Sequence, residues 1–349
     1  MMKVTLTNEI LSYITEIEHN RYKVSSVKLS KPVMNRLRKN SKKKSSYASN
    51  KIEGNPLSEK QVDEVIERDE RKHYLKPEQE VRNYFLALNF LEEKVSKKEK
   101  FSQKLILDVQ KLVEKGASKE KIGLRGPMPP GVLFAVYDSK TGNPDYIPPE
   151  YCDIPELLDE LVEYVNTTDD HPLIVAAVVH YQLVTIHPFE DGNGRTARLL
   201  SGYIMDLNGY GFNGIGSLEE YFAYDIDEYY ESIQMGLPAL YYSGRENPPH
   251  PEIWINYFLR MVKLYSGKVC DLQLASEEED IAGSLSFLKG KEKELLQFLI
   301  RNYRGEFTPI EVSRELSVSN KTSLTGWLFW LKTDLQFPYL QIKESGLTN

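Results

Sequence analysis

The chain has 349 residues, 41% of them apolar and 27% charged, with 44 basic and 51 acidic groups for a net charge of −7. At about 150 residues per domain this gives two or three folded units with ample chain for a core, which excludes a wholly disordered chain, and the acidity argues against a histone-like or ribosomal binder of nucleic acid. The apolar run Leu173 to Val179 is far short of the ~20 residues of a membrane span, the start lacks a leader pattern, and Cys152 and Cys270 form neither a disulfide framework nor a zinc pattern, so the expectation is a cytoplasmic protein without a membrane partner.

The charge is uneven. Residues 1–49 hold 11 Lys/Arg against 3 Asp/Glu, or +8, and the remaining 300 hold 33 against 48, or −15. The peak is RLRKNSKKKSS at 36–46, readable as an anion-binding arm or, preferably, as the solvated face of a helix. Pro32 suits the first turn of that helix, and Gly54, Asn55 and Pro56 stop it. The segment LSEKQVDEVIERDERKHYL opens with Ser58 and Gln61 in capping-box spacing, and EQEVRNYFLALNFLEEKV and FSQKLILDVQKLVEKG follow with helical period. GLRGPMPPGVLFAVYDSKTGNPDYIPPEY is Gly- and Pro-rich, with VLFAVY and DYI as strand-like runs around KTGN, and reads as a β-hairpin. Helical period returns in IPELLDELVEYVN, PLIVAAVVHYQLVTI and RTARLLSGYIMDL, the last stopped by Asn208-Gly209. SEEED, at 276–280, reads as a linker to a block with three short helical patterns and the strand-like QFPYLQI. The fold expected is mainly α with a β-hairpin.

HPFEDGNGRTAR, residues 187–198, concentrates the chemistry. One helix ends near Ile186 and another begins near Gly194, so His187 and Asp191 lie on a loop that presents side chains. Gly192, Asn193 and Gly194 let backbone N–H groups approach an anion at a helix N-terminus. Arg195 and Arg198 share a face of the first turn and can each fork a phosphate. Asp191 is a hard carboxylate suited to Mg²⁺ shared with phosphates and water. His187 titrates near neutrality and is a natural base for a hydroxyl. Phe189 and Pro188 pin the loop to the core, and His180 lies on an apolar helical stripe as a core residue. GNGRTA also fits a dinucleotide fingerprint, but a helix precedes it where a strand is required. A Walker-A motif is absent, and no second His or Cys pair joins His187 and Asp191 as metal ligands.

HPFEDGNGRTAR resembles the Fic motif, H-x-F-x-[D/E]-G-N-G-R-x-x-R, at every defined position, and HYQLVTI, GLRGP and YIPPEY agree in its flanks. The resemblance covers about residues 75–245 and implies a helical core with a hairpin flap that transfers AMP from ATP to a hydroxyl of a target protein. It implies His187 as the base, Asp191 as the Mg²⁺ ligand, Gly192, Asn193 and Gly194 as the anion hole, and Arg195 and Arg198 as phosphate ligands. The flap, Val132, Leu133, Phe134, Ala135, Val136 and Tyr137, would position the target by strand addition. Kinase-like relatives carry Lys where this chain has Gly194, so nucleotidyl transfer is implied over phosphorylation. YDIDEYY resembles an element written N-R-x-E-Y-Y, which implies Tyr229 and Tyr230 at the nucleotide. Asp225 and Ile226 replace its Asn and Arg, leaving contacts to the adenosine open.

SNKIEGN, 49–55, resembles the inhibitory motif [S/T]-x-x-x-E-[G/N] of autoinhibited relatives, with Ser49 and Glu53 one turn apart and Gly54 ending the helix. This implies that Glu53 pairs with Arg198 where a γ-phosphate would sit; in some relatives the same Glu also directs water to remove AMP. The last block resembles a winged helix-turn-helix. Lys321, Thr322, Ser323 and Thr325 could face a DNA groove, but 9 basic against 7 acidic residues in 285–349 is weak for phosphate binding, and Trp327, Phe329 and Trp330 suit a core or interface. The organisation expected is a regulatory region at 1–74, a catalytic core at 75–245, a connecting helix and linker at 246–284 and a winged-helix-like module at 285–349. An autoinhibited adenylyltransferase is the leading reading. A DNA-binding regulator with a nucleotide-sensing core, transfer of another phosphate-linked group, and a homodimer stay open.

Overall fold

The computed structural model describes residues 2–68, 73–118, 122–137, 142–237, 248–284, 305–307, 314 and 340–342. By its contacts the chain divides into a unit ending at Gln273 and another beginning at Leu274. The first unit is helical. α1 (Asn8–Ser26) starts at Thr7, whose hydroxyl accepts from the Ile10 N–H at 3.2 Å, and buries Ile10, Ile17 and Val24, seven residues apart on one stripe. α2 (Lys31–Ile52) has Pro32 in its first turn and ends at Glu53, where Gly54 turns the chain with φ of +79°. α3 (Glu59–Glu67) opens with the Ser58–Gln61 capping box. α4 (Lys76–Ser96) and α5 (Gln103–Glu114) follow.

A two-stranded antiparallel hairpin, β1 (Val136–Tyr137) and β2 (Pro144–Tyr146), precedes α6 (Ile154–Thr167). α7 (Pro172–Ile186) is the central helix: 13 of its 15 residues are buried, which accounts for its lack of a polar face. α8 (Asn193–Leu207) packs along it. The short α9 (Glu219–Phe222) and α10 (Ile226–Gln234) lead to α11 (Pro251–Ser284). The indole N–H of Trp254 on α11 donates to the Ala177 carbonyl of α7 at 2.8 Å. In the second unit β3 (Gly305–Phe307) pairs in parallel with β4 (Leu340–Ile342), the latter inside the strand-like QFPYLQI. The helices of the expected winged-helix module, with Lys321, Thr322, Ser323, Thr325, Trp327, Phe329 and Trp330, lie outside the described residues. Among the described residues no helix is long and apolar enough to cross a membrane.

Part of the charge of the basic helix is paired within the chain. Lys42 pairs with Glu92 of α4 at 2.5 Å, Lys43 with Glu67 of α3 at 2.7 Å, and Lys44 with Glu220 of α9 at 3.0 Å, while Arg38 donates to the Asn213 carbonyl at 2.7 Å. Such pairs are worth about 1 kcal/mol or less each when exposed, so they set where α2 sits more than how stable it is. The buried face of α2 is small and polar. Ser45 donates to the Glu219 carboxylate at 2.7 Å, a group that also accepts from Ser217 at 3.0 Å and Tyr84 at 2.9 Å.

Three sequence expectations change. The strand read at VLFAVY contracts to Val136–Tyr137, because Pro129, Pro130 and Gly131 withhold N–H groups or extended geometry just before it. The helix read through Leu75 ends at Glu67. SEEED is not an irregular linker but part of α11, since Glu and Asp are tolerated in helices and buried Gln273 and Ser276 continue the helical spacing.

Candidate active site

His187 ends α7 in the left-handed region, with φ of 47° and ψ of 58°, a conformation that costs a non-glycine residue about 1 kcal/mol or more. Its Nδ1 lies 3.3 Å from the Val184 carbonyl; a carbonyl can only accept, so this contact places the proton on Nδ1 and the lone pair on Nε2. The loop is then closed on itself. The Phe189 N–H donates to Asn193 Oδ1 at 3.0 Å, and Asn193 Nδ2 donates back to the Phe189 carbonyl at 2.9 Å. Phe189 is fully buried. Gly192, at φ of +80°, starts α8, and the Asp191 carboxylate accepts from its N–H at 2.8 Å. The first N–H groups of α8 have no partner inside the helix, and its dipole favours an anion there.

Arg198 and Glu53 meet at this helix start. Arg198 is buried, and its Nη2 donates to Glu53 Oε1 at 2.6 Å and to the Ser49 carbonyl at 3.1 Å. Its Nε donates to the Ser49 hydroxyl at 2.8 Å, and its Nη1 reaches the Tyr229 hydroxyl at 3.4 Å. A Cβ added to Gly194 would stand 2.4 Å from Glu53 Oε1, so the carboxylate lies directly on the helix start. Gly54 leaves α2 just beyond it.

Arg195 does not share this partner set, although it lies three residues away. Its Nη2 donates to Glu114 at 2.9 Å and to Asp191 at 3.2 Å. Its Nε and Nη1 are buried without a hydrogen-bond partner. Spacing alone suggested two equivalent phosphate forks; the structure points the two guanidinium groups at different carboxylates. Burial is the main force raising the Glu114 carboxyl to about 7, against the pull of Arg195. Asp191 keeps about 30% of its side chain exposed. A single hard, accessible carboxylate beside an anion-binding helix start suits Mg²⁺ shared with phosphates and water. Among the described residues no group of three His, Cys, Asp or Glu forms a protein-only cage.

Burial is likewise the main cause that lowers His187 to about 4; its bond to Val184 opposes this, and Arg125 adds to it. His180 is also held neutral by burial, with its Nε2 at 2.8 Å from the Tyr229 hydroxyl. Tyr229 is 1% exposed among His180, Phe222 and Trp254, so its hydroxyl serves Arg198 and His180 and its ring offers no face to a base, unlike the nucleotide contact expected of it. Tyr230 is 43% exposed, and its hydroxyl reaches the Ile52 carbonyl at 3.4 Å.

The hairpin segment meets the other half of the motif. Val132, Leu133 and Tyr137 are exposed, and Phe134, Ala135 and Val136 are partly buried. The Phe134 ring stands 6.0 Å from the His187 ring, and Leu124 bridges to Phe189. Glu114 and Arg125 are site residues that the motif did not reveal. A signal existed for Glu114: with Gln110 it falls on the buried face of Ile106, Val109 and Val113, where a carboxylate is out of place. Arg125 had none.

Residues 99–205 match the Fic/DOC family. The protein adenylyltransferase fic-1 of Caenorhabditis elegans is 46% identical over 67 residues, 18% of this chain and 13% of that protein. The protein adenylyltransferase Fic of Drosophila grimshawi is 26% identical over 204 residues, 56% of this chain and 40% of that protein. The chain thus spans less than half the length of either. Among solved structures, a Fic family protein from Desulfovibrio desulfuricans has a TM-score of 0.63 at 20% identity, over 96% of this chain and 92% of that one. A segment of Fic-1 from C. elegans has a TM-score of 0.59 at 24% identity, over 77% of this chain and 73% of that one. The loop opened by His187 and the anion-favouring start of α8 both fall within the residues, 99–205, that match the Fic/DOC family, and the solved structures share the fold.

Proposed function

We propose that the chain is an autoinhibited protein adenylyltransferase that moves AMP from ATP to a Ser, Thr or Tyr hydroxyl of a target protein. The observation that carries this reading is the seat of Glu53 on Arg198 and against Gly194, an anion held by the groups that a triphosphate needs. His187 Nε2 takes the proton of the target hydroxyl, whose oxygen attacks the α-phosphorus. The bond from that phosphorus to the bridging oxygen breaks, and pyrophosphate leaves. The first N–H groups of α8 and Arg198 hold the phosphates, with Arg195 fixing Asp191. Asp191 would hold Mg²⁺, which when bound neutralises phosphate charge. The exposed Val132, Leu133 and Tyr137 offer an edge on which an extended target segment adds as a strand.

Glu53 is the brake. Its carboxylate and a γ-phosphate compete for one buried guanidinium and repel each other, so ATP enters with its phosphates misplaced. Ser49 reinforces the brake by accepting from the same guanidinium. Incubation of the purified chain with ATP labelled in the α- or the γ-phosphate tests both parts. Glu53→Gly should label itself or lysate proteins from the α-position only, and His187→Ala in that background should not. Label from the γ-position would replace nucleotidyl by phosphoryl transfer, and no gain from Glu53→Gly would remove the brake. Return of the modified protein to the wild-type chain measures whether Glu53 also supports removal of AMP.

A further inference from the structure

Arg125 lies outside the motif and is 5% exposed, yet it holds three separate pieces of the site. Its backbone N–H donates to the Pro188 carbonyl at 2.9 Å, and its Nε donates to the carbonyl of His187 itself at 2.8 Å. Its Nη2 donates to the Pro149 carbonyl, just past the returning strand of the hairpin. Its guanidinium carbon lies 4.7 Å from the centre of the Phe134 ring, on the outgoing arm, and that ring in turn faces His187. A single planar cation therefore touches both arms of the hairpin and the residue in the left-handed conformation that carries the base. Only a fork can serve two carbonyls and stack on a ring at once; an ammonium is a point charge without that geometry.

We propose that Arg125 is a positioning residue that ties the hairpin to His187, so that seating of a target strand and aim of the base are set together. The tie has two ends. The His187 carbonyl is held by Nε, and a left-handed non-glycine residue keeps its conformation only where its surroundings fix it. The hairpin is held by the Pro149 carbonyl and the Phe134 ring. A change at one end is therefore felt at the other. This inference rests on the adenylyl-transfer reading above, in which His187 is the base.

The test uses the full chain in the Glu53→Gly background, with Arg125→Lys, Arg125→Gln, Phe134→Leu and the double variant Arg125→Gln/Phe134→Leu. Self-labelling from α-labelled ATP gives the maximal rate and the half-saturating ATP concentration. Direct titration gives ATP affinity, and the imidazole nuclear magnetic resonances of His187 report its geometry without reference to activity. Arg125→Lys should unfold at nearly the temperature of its parent and bind ATP within about twofold. Its maximal rate should fall about 10- to 100-fold, as expected of a misaimed base, and the His187 resonances should move. Phe134→Leu should move the same resonances by less. The double variant should lose less than the product of the two single losses, since both cut one tie. A parental rate in Arg125→Lys would overturn the proposal, as would a fall in rate with His187 resonances unmoved or a loss explained by ATP affinity. If Arg125→Gln fails to fold, Arg125→Lys and Phe134→Leu decide. If no variant self-labels, the transfer reading fails by itself, while the resonances still show whether Arg125 sets His187.

Discussion

The end of α2 and the hairpin segment brace opposite halves of the 187–198 loop with different chemistry. α2 reaches the last half, where Glu53 and Ser49 bind Arg198 and Glu53 covers Gly194. The hairpin segment reaches the first half through backbone carbonyls of His187 and Pro188, the Leu124–Phe189 bridge and Arg125. A triphosphate can replace the first set, because a phosphate oxygen and a carboxylate oxygen ask the same thing of a guanidinium. It cannot replace the second, because carbonyls accept and phosphates do not donate. On the proposed reading, one brace is therefore removable by ligand or mutation with a gain of activity, and the other only with a loss.

The largest expected effect breaks the comparison at its sharpest point. His187→Ala should lower transfer by about 100- to 10,000-fold, the usual worth of a positioned base. Glu53→Gly should raise it by about 10- to 100-fold, matching loss of a charged hydrogen bond of about 1.5–3 kcal/mol. Labelling rates at saturating ATP read both. A gain from any hairpin substitution comparable to that of Glu53→Gly would show that the two braces are not different in kind. Ser49→Ala removes one neutral acceptor from Arg198 and should raise transfer by only about 2- to 10-fold.

The two braces also differ in how far the sequence disclosed them. The loop of His187, Asp191 and Gly194 stood out as small and polar residues after a strongly apolar helix, while Ser49 and Glu53 entered only through the resemblance of SNKIEGN to an inhibitory motif. The mainly helical fold followed from apolar period and caps such as Ser58–Gln61. What failed depends on packing between distant segments. Arg195 and Arg198 look alike on one helix turn, but α5 brings Glu114 to one and α2 brings Glu53 to the other. Tyr229 shows polar and aromatic character equally well on a surface or, as here, under a buried arginine. SEEED misled because charge density is a statement about solvent, while helix continuation depends on backbone propensity.

ATP itself should sharpen the comparison. With Glu53 in place, ATP must seat its phosphates away from Arg198 or displace the carboxylate there; in Glu53→Gly that guanidinium is buried without its counter-charge until phosphate arrives. ATP with Mg²⁺ should therefore raise the melting temperature of Glu53→Gly more than that of wild type, by about 2–4 °C for each tenfold gain in affinity. Equal shifts would mean that Glu53 does not compete with the triphosphate. Below this in size is the pH response of the base. Burial keeps His187 neutral down to about 4, so the acid limb of the rate over half-saturation, measured in Glu53→Gly, should lie well below the 6.5 of an ordinary imidazole. A limb at 6.5 would show a solvated histidine and a looser hairpin brace.

The smallest effect concerns Glu114, which touches neither brace and supports Arg195 between them. Its carboxyl is raised from 4.5 to about 7, chiefly by burial. Between these values the folded chain keeps a proton that the unfolded chain has lost, so stability falls as pH rises through that window and is level above it. Gln at this position does not titrate and keeps a similar shape. The melting temperature of Glu114→Gln minus that of wild type should therefore climb from pH 4.5 to 7, by an amount of order 1 kcal/mol, or about 2–4 °C. Transfer in the Glu53→Gly background should change little by comparison, because Asp191 still accepts from Arg195 and from the Gly192 N–H. A constant difference in melting temperature across the window would mean that Glu114 is ionised throughout and that its bond to Arg195 outweighs its burial. In that case the buried N–H groups of Arg195 would face a full counter-charge, and its pull on Asp191 would be weaker than the geometry around Gly192 implies.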